Sequence, residues 1–160
     1  MLQVQKNKMV CTSHLTDNFG NIMKNLLLMC CILPFLNACT TTRLNIYQQL
    51  GGGAKIEEIV DNFITEIEFD PVMYQFFKNS NIDRFREKLS EHICMLTGGP
   101  CKYTGDTMEQ VHAGMNISET TFNHSIDLFI NAMVKADVPH SIQNKVLAVT
   151  IHTRDQMIYL

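Results

Sequence analysis

Residues 54–69 read AKIEEIVDNFITEIEF, and within them Ile56, Ile59, Val60, Phe63, Ile64 and Ile67 recur at spacings of three and four. That is the period of an amphipathic helix with one buried face. Asp70-Pro71 stops it, because the residue before a proline is driven out of the helical region. The same period returns over 82–96 with Ile82, Phe85, Leu89, Ile93 and Leu96, and Gly98-Gly99-Pro100 ends that run. Ser118 is placed to cap a third helix whose stripe is Phe122, Ile126, Phe129, Ile130 and Met133. Pro139 suits the first turn of a fourth, carrying Ile142, Val146, Val149, Thr153 and Met157 or Ile158. No segment alternates with period two over a useful length, so the fold class is all-α: four main helices with a short one at 44–50.

The 160 residues, 46% apolar and 18% charged, have the composition of one globular domain. Thirteen Lys+Arg against sixteen Asp+Glu give a net charge of −3 with no basic stripe, which excludes a nucleic-acid footprint. Of the six Cys, four fall at positions 11, 30, 31 and 39, so a disulfide-rich framework is excluded too. Gly51-Gly52-Gly53 follows no strand and precedes no Lys-Ser/Thr pair; it reads as a turn between helices, not as a phosphate loop.

Residues 26–36, LLLMCCILPFL, are an uncharged run of 11, short of the roughly 20 needed to span a bilayer. Preceded by Met23-Lys24, the run has the form of an export signal. Leu36-Asn37-Ala38-Cys39 resembles the bacterial lipobox, which implies cleavage before Cys39 and a lipid on its thiol. This divides the chain into a leader and signal peptide at 1–38, a tether at 39–43 and a domain at 44–160. Residues 1–22 are either a long leader or lie upstream of a start at Met23. Against the alternative of a buried N-terminal helix stand Pro34 and the tether-like Thr40-Thr41-Thr42. Export implies the periplasm, with contact to a membrane only through the lipid, and Thr40 after Cys39 leans towards the outer membrane by resemblance to sorting rules. Without a working signal the domain is cytoplasmic. In an oxidising compartment Cys94 and Cys101 either pair across the Gly98-Gly99-Pro100 turn or remain two thiols, and a Cα separation below about 7 Å decides which.

Four segments then stand in a telling order: Tyr47-Gln48-Gln49-Leu50-Gly51-Gly52, Phe76-Phe77, Gly98-Gly99-Pro100 with Tyr103-Thr104-Gly105, and Val111-His112-Ala113-Gly114. Over residues 44–158 the chain resembles the group I truncated haemoglobins. The resemblance implies a two-over-two helical sandwich around haem b, with the irregular segment 97–117 leading into a short proximal helix. It makes His112 the proximal ligand of the haem iron, a role that neutral imidazole suits. It sets Phe77 against the haem, carries Tyr103 and Val111 into the cofactor site, and puts Phe63, Phe76, Phe122, Phe129 and Val149 in the walls. His92, seven residues after Phe85, is expected at the haem edge or on a propionate. His14, His124, His140 and His152 lack metal-cluster spacing and read as solvated.

The distal side departs from the family. Its members place a Tyr after the second-helix Phe and a Gln in the distal helix, where this chain has Ile64 and Leu89, with Phe85 one turn earlier. Dioxygen then lacks a donor worth about 1.5–3 kcal/mol, so fast release or autoxidation is expected and nitric-oxide dioxygenation is disfavoured. Lys88 either ligates the iron as a neutral amine or stays an ammonium that reaches a propionate. The function implied is reversible binding of dioxygen, carbon monoxide or nitric oxide, without catalysis. The alternatives are a haem redox enzyme served by a reductase, an electron-transfer protein with Lys88 as sixth ligand, and a structural lipoprotein without haem. Only the last dispenses with His112.

Overall fold

Asn45 opens the folded region by accepting a hydrogen bond from the Gln48 backbone N–H while the Gln48 side chain accepts from the Asn45 N–H, a reciprocal cap for α1 (Ile46–Leu50). Gly51 closes α1 and starts α2 (Gly52–Phe69) in a left-handed conformation, φ 113°, that only glycine adopts cheaply. The triglycine is thus a turn between helices, as its sequence context predicts, and α2 begins two residues before Ala54. Asp70 ends α2 and accepts from the N–H groups of Val72 and Met73, turning the chain into α3 (Tyr74–Phe77). Asn81 caps α4 (Ile82–Leu96), Thr107 caps α5 (Met108–His112), and Ser118 caps α6 (Glu119–Lys135). Pro139 precedes α7 (His140–Thr150), and a 3₁₀ turn covers Ile151–Gln156. The structure is a computed structural model that describes residues 43–160; the expected leader, the lipobox with Cys39 and the threonines of the tether lie outside the described residues.

The fold is all-α. Helix α2 packs against both α4 and α6 and is the spine of the domain. Its Ile56, Ile59 and Val60 are fully buried with Ile93, Met133 and Val146. Burying each such side chain contributes about 1.5–3 kcal/mol, against about 0–1 kcal/mol for exposed ion pairs such as Arg84–Asp106. Apolar contact along α2 therefore sets the architecture. A second cluster of Ile67, Met73 and Leu128 collects Phe63, Phe76, Phe77 and Phe85 around it.

Two sequence expectations change. The fourth helix does not run to Met157 or Ile158 but stops at Thr150. The Thr150 hydroxyl donates to the carbonyls of Val146 and Leu147, and that of Thr153 to Thr150, so side chains compete for helical acceptors in a β-branched stretch. The residues beyond turn back to the segment after α5. Ile158 bridges Ile117, the Tyr159 N–H donates to the Ile117 carbonyl at 3.0 Å, and the Gly114 and Asn116 N–H groups donate to the Leu160 carbonyl. Secondly, the open question of the two cysteines is answered: Cys94 and Cys101 form a disulfide, with Cα atoms 5.8 Å apart.

Gly99 makes that closure possible. A Cβ there would lie 2.5 Å from Cys94 Sγ, 2.6 Å from Tyr47 Cδ2 and 2.9 Å from the Cys94 carbonyl oxygen, two of them side-chain atoms already locked in place and one backbone. Gly99→Ala is expected to cost about 1–3 kcal/mol, as overpacking does. Thermal denaturation checks this, and a melting temperature equal to wild type would refute it.

Candidate functional site

Thr107 accepts a hydrogen bond from the Gln110 N–H while the Gln110 side chain accepts from Thr107, so a five-residue helix is defined at its start. Its last residue is His112, whose Nδ1 lies 2.8 Å from the Met108 carbonyl oxygen. A carbonyl only accepts, so Nδ1 carries the proton and Nε2 keeps its lone pair. His112 lines a cavity of about 470 Å³ between α4, α5 and α6. That volume falls in the range of small-molecule and cofactor sites.

The cavity collects ten of the eleven residues that the sequence points to: Phe63, Phe77, Phe85, Lys88, Leu89, His92, Tyr103, Val111, His112 and Phe122 all line it. Ile64 does not. Adjacent positions on a helix diverge by about 100°, and with Phe63 turned to the cavity, Ile64 packs against the main core. Phe76 and Phe129 are wall residues as expected, whereas Val149 is replaced by Thr150 and Thr153. Aromatic edges stiffen the walls: Phe63 meets Phe129 at 5.5 Å and Phe77 meets Phe85 at 4.8 Å, both edge-on.

One wall is not helical. Residues 101–106 lie antiparallel along α4, tied at every turn: Cys101 to Cys94 by the disulfide, Tyr103 beside His92 with ring centroids 5.0 Å apart, and the Thr104 N–H donating to Glu91 at 2.9 Å. Lys88 donates to the Thr104 hydroxyl at 2.7 Å, and Arg84 pairs with Asp106 at 3.1 Å. The hydrogen bonds to Thr104 hold the Glu91 carboxyl below its ordinary range. Lys88 is bound to Glu87 and Glu91 as well, and these bonds raise its pKa.

His92 is not tied in this way. Among the described residues its ring nitrogens have no hydrogen-bond partner, and burial, then repulsion from His112, lowers its pKa. His124 is not simply solvated: its Nε2 lies 2.7 Å from Asp70 Oδ2, clamping the corner before α3 to α6, while His140 and His152 are exposed. Sequence reasoning missed Met73, Arg84, Asp106, Met115, Ile117 and Met157 as lining residues. Arg84 is a polar residue off the apolar stripe of α4, and the others reach the cavity through corners and the returning chain end, where a helical period gives no guide.

An apolar cavity with the bare Nε2 of an oriented imidazole, His112, and with Arg84 and Lys88 as cations to meet carboxylates, suits haem. Comparison with known proteins agrees. Residues 45–159 match the bacterial-like globin family. The chain is 30% identical over 113 residues to the group 1 truncated hemoglobin of Tetrahymena pyriformis, covering 71% of this chain and 93% of that protein. It is 32% identical over 103 residues to the group 1 truncated hemoglobin GlbN of Mycolicibacterium paratuberculosis, covering 64% and 76% respectively. The crystal structure of the Tetrahymena pyriformis protein in its Fe(III) form matches with a TM-score of 0.70 and 29% identity, over 73% of this chain and 100% of that one. The chain belongs to the bacterial-like globin family. It is a truncated haemoglobin, with haem as its cofactor and diatomic gases as its ligands.

The pKa of His92 fixes a sign. The folded domain holds this ring neutral below the ordinary value of 6.5, at which the unfolded chain takes up a proton. Its contribution to stability is full above that pH and is lost as the pH falls through the lowered value. The melting temperature of His92→Phe is therefore expected to drop less than that of wild type between about pH 7 and pH 5. Parallel declines would overturn the assignment.

Proposed function

We propose that the domain reversibly binds dioxygen, carbon monoxide or nitric oxide on haem held by His112, and that a lipid on Cys39 tethers it on the periplasmic side of a membrane, the outer one favoured. The observation that carries the binding role is the bare Nε2 of His112 in an apolar cavity, its other nitrogen fixed on the Met108 carbonyl. Haem bound there would be held through His112 and would supply an iron able to take a diatomic gas. His112 orients, Phe77 and Phe85 exclude water, and Arg84 and Lys88 stand where cations can meet the propionates.

Phe85 and Leu89 line the cavity from α4, and Ile64 turns away from it, so the positions where the family carries donors offer none. A ligand there keeps no hydrogen bond from them. Catalysis that needs a polar distal group or a reductase gains no support from these side chains. For Lys88 to act as a sixth ligand, its amine must leave Glu87, Glu91 and Thr104 and lose a proton that the carboxylates hold in place. The ammonium form, at the rim, is the reading favoured. The export setting is supported by the lipobox-like Leu36-Asn37-Ala38-Cys39 and by the disulfide, a bond that oxidising compartments sustain.

Three measurements test this. In optical spectra of the haem-loaded chain, His112→Ala is expected to lose the axial-ligand signature and the carbon monoxide shift of the Soret band; retention of both would refute the assignment. Stopped-flow dioxygen release is expected to be roughly 10- to 100-fold faster than in truncated haemoglobins with the Tyr and Gln donors, the worth of a lost charge-assisted bond. Release as slow as theirs would contradict the apolar reading. Fatty-acid labelling of the expressed chain is expected to vanish in Cys39→Ala, and equal labelling would remove the anchor.

A further inference from the structure

The strap of residues 101–106 forms a wall of the cavity with Tyr103, Gly105 and Asp106, and then leads through Thr107 into the helix of His112. Its one covalent tie to α4 is the Cys94–Cys101 bond, at the end of the strap where the chain leaves α4. The remaining ties are non-covalent: Tyr103 beside His92, and the polar contacts of Thr104 with Glu91 and Lys88 and of Asp106 with Arg84, which contribute little each. The two sulfurs are not equivalent. Cys94 is buried, Cys101 is exposed, and both border a second groove between α4 and the start of α2, beside Ser90 and Glu91. A reductant reaches the bond from that groove without entering the haem cavity.

We propose that the Cys94–Cys101 disulfide is a redox-responsive site whose reduction by a dithiol frees the strap from α4 and opens the ligand cavity. A thiolate of the dithiol attacks the exposed Cys101 Sγ, forming a mixed disulfide and expelling Cys94 Sγ, which takes up a proton. The second thiol of the reductant then closes on the first, and Cys101 leaves as a thiol. Two electrons and two protons pass to the protein, and the dithiol becomes a disulfide. The oxidised form holds Tyr103 against His92 and keeps the wall shut. In the reduced form only non-covalent contacts, the polar ones and Tyr103 beside His92, hold the strap, and local opening of this wall becomes more frequent.

The effect on ligand entry rests on the haem reading. The test uses the full-length, haem-loaded chain in its ferrous carbon monoxide form, oxidised or reduced with dithiothreitol, so that the iron is the same in both samples. Bimolecular carbon monoxide recombination after flash photolysis is expected to speed up about tenfold on reduction, and amide exchange at Thr104 to speed up by about as much. The double substitution Cys94→Ser, Cys101→Ser is expected to reproduce both without reductant, and reoxidation of the wild type to reverse them. Two titratable thiols with unchanged recombination and unchanged Thr104 exchange would overturn the proposal. If neither form takes up haem, the haem reading fails, and Thr104 exchange alone then decides whether the bond controls the strap.

Discussion

The hydrogen bond from His112 Nδ1 to the Met108 carbonyl governs what the cavity can hold. An imidazole has two nitrogens, and a metal needs one of them bare. By occupying Nδ1 with an acceptor one turn back, the five-residue helix α5 selects the tautomer whose lone pair sits on Nε2 and orients the ring. The helix is too short to be stable alone. It persists because Thr107 and Gln110 cap one end, while the segment after it is pinned to Leu160 and Tyr159.

Around that nitrogen the protein leaves a space in an interior that would otherwise close-pack. Phe63, Phe77, Phe85, Leu89 and Phe122 offer ring faces, edges and methyl groups to it, and an apolar void of this kind costs stability while empty. A flat, apolar cofactor that fills the void adds its binding free energy to folding. Among the polar groups that line it, Arg84 and Lys88 are tied to carboxylates, and burial disfavours the charged form of His92.

Much of this was legible in the chain. The period of Ile56, Ile59, Val60 and Phe63 marks α2 because a helix buries one stripe, and the same logic places α4 and α6. The ordered motifs up to Val111-His112-Ala113-Gly114 carry the likeness to the family and single out His112. The end of α7 was not legible, since Thr150 and Thr153 keep the apolar period while their hydroxyls withdraw carbonyls from the helix. Nor was the role of Ile64: Phe63 and Ile64 both belong to the apolar stripe of α2, and only the packing of its neighbours decides which of the two meets the cavity. His124 looked solvated because its partner Asp70 stands 54 residues away.

Local chemistry is what the sequence settles by itself: where helices start, which faces are apolar, which glycines turn the chain and which histidine sits in the proximal motif. Each of these depends on residues a few positions apart. The pairing of Cys94 with Cys101 across a turn, the lie of residues 101–106 along α4, the ammonium of Lys88 shared among Glu87, Glu91 and Thr104, and the return of Ile158 to Ile117 were decided only by the tertiary structure. These contacts depend on how rigid helices pack in space, and the packing of α2 against α4 and α6 sets the distances at which such groups can meet.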